Sequence, residues 1–125
     1  MPGKRAVDPH AMRAAVAAVV PWLEGGAAPG RPVLAEAVRS SLRTLEQTAP
    51  GHAVEVRVPP FAAVQCIAGL RHTRGTPPNV VEMDPKTWLE LATGRLLWTD
   101  AVTSGRVSAS GTRADLSDHL PIVRV

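Results

Sequence analysis

The chain has 125 residues, 45% hydrophobic and 20% charged, a balance that fits one globular core and makes neither disorder nor a membrane protein the default reading. Fourteen Lys and Arg against eleven Asp and Glu leave a formal charge of +3. Lysine occurs only at Lys4 and Lys86, the arginines are scattered, and no aromatic residue sits among them as a stacking platform, so nucleic acid is not an expected partner. The longest apolar stretch, 14–20, is far short of the ~20 residues that cross a bilayer, so no integral membrane association is expected. Met1 to Arg5 is basic, but Asp8, His10 and Arg13 interrupt the segment beyond it, and secretion is not expected. A single cysteine, Cys66, cannot form an internal disulfide and suits a reducing compartment, which points to the cytoplasm.

Asp8 before Pro9 is a helix start, with a carboxylate to cap free N–H groups and proline where none is needed. Met12, Val16, Val19 and Leu23 then line one helical face, and Pro21 limits how far that helix runs without a kink. After a Gly- and Pro-containing loop, Leu34, Val38, Leu42 and Leu45 form a second apolar stripe, with Glu36, Arg39, Arg43 and Glu46 towards water. Pro50 and Gly51 end it.

The period then shortens to two, because Val54, Val56 and Val58 alternate with Glu55 and Arg57, as in a half-buried strand. Beyond Pro59 and Pro60, the run 61–68 is apolar at nearly every residue and reads as a central strand covered on both faces. A polar loop, 69–79, leads to a short strand at 80–83. Asp84 and Pro85 repeat the helix-start device for a helix carrying Trp88, Leu91 and Ala92, which ends at Gly94. A short helix capped by Thr99 and closed by Gly105 comes next, then a strand with Val107 and Ala109 on one side. Thr112 and Asp115 suggest an abbreviated capping box for a helix over 116–120, ended by Pro121.

The stretch Trp88-Leu89-Glu90-Leu91-Ala92-Thr93-Gly94, then Asp100-Ala101, Ser104-Gly105-Arg106-Val107 and Ser110-Gly111, resembles the sterol carrier protein family, and more closely its small stand-alone bacterial branch. The likeness runs from about Gly51 to Pro121, through the Pro77-Pro78-Asn79 turn, and the Ala-, Arg-, Gly- and Pro-rich composition suggests an actinobacterial source. The resemblance implies an α+β fold of the sterol-carrier-protein type, with a sheet of about five strands covered on one face by helices. It further implies an apolar tunnel between the layers that takes a fatty acyl chain, an acyl-CoA or a sterol-like lipid. Residues 1–125 then form one domain, a helical pair over 8–49 followed by sheet and helices over 51–121. Four strands are evident from the residues alone. The chain ends in Leu120-Pro121-Ile122-Val123-Arg124-Val125, where animal members of the family carry a helix that shapes the tunnel mouth, which implies a shallow, open or absent tunnel.

Lipid carriage needs only a preformed apolar cavity, since each buried methylene contributes ~0.8 kcal/mol. The candidate lining is Val56, Val58, Val64, Trp88, Leu91, Val102 and Val107, with Trp98 at an opening. The same residues equally suit a packed core, as dense interiors require. Arg71, His72 and Arg74 form the most donor-rich segment, suited to a carboxylate or phosphate head group or to ion pairs with Glu55, Glu82 or Asp84. Cys66 with His72 could suggest a nucleophile and base, but an apolar strand should raise the thiol pKa. The four histidines lack metal-ligand spacing, and no glycine-rich phosphate loop comes after a strand, so no metal, cofactor or catalytic residue is expected. The alternative reading is an accessory domain or partner of an isomerase or transferase, or a small catalyst at the loop 71–79.

Overall fold

The computed structural model describes residues 6–69 and 79–125. Helix α1 (Pro9–Ala17) starts where Asp8 accepts a hydrogen bond from the His10 N–H at 3.0 Å. It stops three residues short of Pro21, and the chain re-forms as the single turn α2 (Val20–Leu23). Proline explains the break, because its ring would crowd the carbonyl four residues earlier and it has no N–H to donate. Met12, Val16, Val19 and Leu23 are all buried, so the expected stripe survives the interruption.

Helix α3 (Arg31–Thr48) extends about a turn beyond the predicted stripe at its N-terminal end, where Pro32 occupies the first turn. Val38, Leu42 and Leu45 are fully buried. Strand β1 (Val54–Val58) alternates buried valines with the half-exposed Glu55 and Arg57. Strand β2 (Ala62–Cys66) pairs with it as an antiparallel hairpin, β3 (Asn79–Met83) lies parallel to β1 on its other side, and β4 (Val107–Ser110) is antiparallel to β3. The order is β2-β1-β3-β4.

Two expectations need correction. Among the described residues the sheet has four strands rather than five. The apolar run after Pro60 is an edge strand, not a central one, and Ala63 on its outer side is exposed. Alanine is apolar enough to mimic a buried strand in sequence, yet too small to demand cover, so Ala62 and Ala63 carry no real requirement for a second layer.

The register puts Val54, Val56, Val58, Val81, Met83 and Val107 on one face of the sheet, where all are buried, and Glu55, Arg57, Glu82 and Ser108 on the other. The helices therefore cover one face, with α3 against β2 and α5 (Trp98–Thr103) against β4. Helix α4 (Pro85–Ala92) is capped by Asp84, whose carboxylate accepts from the Thr87 N–H at 2.7 Å. Lys86 lies 5.4 Å from the Trp22 ring, which helps seat α2 beside α4. Helix α5 begins two residues earlier than expected, with Leu97 rather than Thr99 at the cap.

The predicted helix over 116–120 is only a 3-10 turn, Ser117–His119, started by Asp115 accepting from the Ser117 N–H at 2.8 Å. Hydrogen bonding from Ser117, its hydroxyl first and its N–H second, lowers the Asp115 carboxyl pKa from its ordinary value. Beyond Pro121, the Ile122 and Val123 N–H groups both donate to the Ala92 carbonyl, at 2.8 and 3.0 Å. Val123 is thereby placed against Met12 and Val16 of α1. The buried Asn79 side chain donates to the Ala53 carbonyl and accepts from the Arg113 N–H, both at 2.9 Å, which ties the start of β1 to the segment after β4.

Candidate ligand-binding site

Five of the residues expected between the layers, Val56, Val58, Trp88, Leu91 and Val107, are buried in one continuous core cluster. Trp88 is the largest of them, and its indole N–H donates to the Ser41 hydroxyl at 2.8 Å. Val64 is half-buried and Trp98 likewise. Val102, expected to face the sheet, is instead 40% exposed, because Ala101 occupies the buried side of α5. A small side chain lets this short helix approach β4 closely, and its valine is turned outward as a result. Arg71, His72 and Arg74 lie outside the described residues.

The structure brings Leu91 and Trp98 together in an apolar recess of about 230 Å³, closed by Leu96, Leu97, Leu120 and Pro121. Its walls come from the end of α4, the connection to α5, and the chain after the 3-10 turn. Leu97 at its rim is 68% exposed. Ion pairs hold these walls in place. Arg95 reaches Glu24 at 2.9 Å, fixing the α4–α5 connection to the residue after α2. Arg106, just after α5, pairs with Glu90 of α4 and donates to the Thr87 hydroxyl at 3.2 Å. Sequence reasoning missed Leu96, Leu97 and Leu120; the adjacent leucines in a connection between helices were the available signal, since loops seldom spend two large apolar residues without a packing reason.

A second, larger groove of about 460 Å³ runs between α3 and β2, lined by Arg39, Arg43, Glu46 and residues 61–64. Cys66 lies at the far end of the same strand, its thiol pushed up to about 11 by burial first and by the Glu46 charge second. Among the described residues, no group of three His, Cys, Asp or Glu is placed to hold a metal ion. No helix among them is long and apolar enough to cross a membrane.

The chain is a layered α+β domain with an apolar recess beside its helices. Comparison with known families agrees: the model described as "Bacterial SCP ortholog" matches residues 30–122, most of the chain, and the chain belongs to that family, bacterial relatives of the sterol carrier proteins. Membership suggests lipid binding or transport in general terms. No curated protein matches the chain.

Proposed function

We propose that this chain is a non-catalytic, cytoplasmic binder of a lipid with a single flexible chain, and that the recess at Trp98 receives that chain. The observation that carries the reading is the recess itself, whose walls are mostly leucine, tryptophan and proline side chains, with Thr99 and Ser117 as their polar members. Its volume of about 230 Å³ falls below the roughly 300–1,000 Å³ that encloses a drug-sized molecule. A rigid sterol ring system is thus disfavoured against a fatty acyl segment. The raised Cys66 pKa also supports a non-catalytic reading, since a thiol held protonated at neutral pH is a poor nucleophile.

The test is calorimetric titration with saturated fatty acids of increasing length. Each methylene that enters contributes ~0.8 kcal/mol, about a fourfold gain in affinity, so affinity should climb with length and then level once the recess is full. Absence of saturable binding into the high micromolar range for every chain length would overturn the proposal.

A further inference from the structure

We propose that the free edge of β2, together with the flank of α3, is a docking site for an extended acidic peptide segment, which would add to the sheet as a new strand. The argument begins with hydrogen-bond alternation. The register pairs Val54 with Cys66, Val56 with Val64 and Val58 with Ala62, and beyond it the Ile67 N–H leaves the ladder for the Ala49 carbonyl. Residues facing each other in an antiparallel pair alternate between bonded and non-bonded classes. Pro59 has no N–H to make the bond that would flank a non-bonded Val58–Ala62 pair, so Val58 with Ala62, Val56 with Val64 and Val54 with Cys66 are the bonded pairs. The N–H and C=O groups of Ala63 and Gln65 therefore point away from β1, towards the outer edge, as the Phe61 carbonyl does where it accepts from Arg39.

Among the described residues, no strand pairs with that edge. It opens on the groove between α3 and β2. Cations dominate its surroundings. Arg39 and Arg43 are exposed and one turn apart on α3, so both reach the same side. The Arg39 Nε–H donates to the Phe61 carbonyl at 3.2 Å, and the Arg31 guanidinium sits 5.3 Å from the Phe61 ring, which fixes two of these side chains at the head of the strand. Glu46 is the one carboxylate among the groove's lining residues.

This combination selects the ligand's chemistry. A free anion would meet outward carbonyls of Ala63 and Gln65 as well as the N–H groups, and the carbonyls would repel it. An extended peptide satisfies donors and acceptors alike, and carboxylate side chains on alternate residues would lie against Arg39 and Arg43. A second copy of this chain would instead bring its own Arg31, Arg39 and Arg43 to the same place and double the excess of positive charge. Pro59 and Pro60 stop pairing at one end of the edge, so the added segment should be short.

The experiment uses the full chain, labelled for amide exchange, and two capped heptapeptides, one alternating glutamate with valine and the other lysine with valine. The glutamate peptide should slow exchange of the Ala63 and Gln65 amides at least tenfold, and the lysine peptide should not. Replacing Arg39→Gln and Arg43→Gln together should weaken the glutamate peptide about twofold to thirtyfold, the range for two exposed ion pairs, while the chain still unfolds in one cooperative transition. Slow exchange of both amides in the free chain would show a covered edge and overturn the proposal. So would equal binding of the two peptides, competition by inorganic phosphate alone, or a doubled mass in light scattering with the edge protected.

Discussion

The Trp88 indole N–H and the Ser41 hydroxyl meet at 2.8 Å inside the core, joining α4 to α3 across a sequence gap of forty-seven residues. The Ser41 hydroxyl donates in turn to the Ala37 carbonyl at 2.6 Å, so the pair is fully satisfied without water. Replacing Ser41→Ala leaves a buried N–H with no acceptor and should destabilise the fold by about 1–3 kcal/mol. Trp88→Phe removes the donor along with some volume. The double variant should be less destabilised than the two single effects added, with a coupling of about 0.5–1.5 kcal/mol in urea unfolding. Strict additivity would show that the bond contributes nothing.

At the exit of β2, Ile67 adopts a φ of 66°, a conformation unfavourable for a β-branched residue. Its N–H is fixed by the Ala49 carbonyl at 2.6 Å and its carbonyl by the Ala53 N–H at 3.0 Å, so the neighbouring backbone holds it there. Gly51 makes this possible, because a Cβ at that position would overlap the Ile67 carbonyl. Gly51→Ala should therefore lower stability by more than the roughly 1 kcal/mol of an ordinary glycine replacement, measured as a fall in the urea midpoint. Ile67→Asn, which tolerates the left-handed region, tests the strain: its loss should be smaller than that of Ile67→Val, which keeps the β-branch.

The Cys66 thiol titrates near 11 in the folded chain against an ordinary value of 9.0, so folding favours its protonated form. Its contribution to stability is fully present below about pH 9 and is lost as pH rises from 9 towards 11. A Cys66→Ala chain should lack this decline, visible as a flatter dependence of the unfolding midpoint over that window. At neutral pH a disulfide reagent should label native Cys66 slowly and denatured Cys66 quickly.

Leu120→Trp places an indole in the Trp98 recess and should reduce fatty acid affinity at least tenfold, with the thermal midpoint little changed because the site is at the surface. Val102→Trp is the control. Val102 is exposed and does not line the recess, so enlarging it should leave affinity unaltered. The reverse outcome would return the ligand to the space between α5 and the sheet.

Much of the fold was legible in local chemistry. The Asp8-Pro9 and Asp84-Pro85 pairs start helices where expected, and the alternation of Val54, Val56 and Val58 marks a half-buried strand. What failed depended on contacts distant in sequence. The run of small apolar residues in β2 fits an edge as well as a centre, and only pairing decides between them. In the six-residue α5, periodicity has too few turns to choose between Ala101 and Val102 for the buried side. Arg39 and Arg43 read correctly as the outer side of α3, but the groove beside them exists only because β2 is packed there. The recess at Trp98 is built by Leu91 and Leu120, nearly thirty residues apart, and no local pattern joins them.

The Ala92 carbonyl, which accepts from both Ile122 and Val123, makes one short length of chain serve two tasks. Leu120 and Pro121 wall the recess, and Val123, two residues on, seals Met12 and Val16 of α1. A ligand that prefers one position of Leu120 must then bias the seating of the first helix, and thermodynamic reciprocity requires that anything loosening that helix alter ligand affinity by the same free energy.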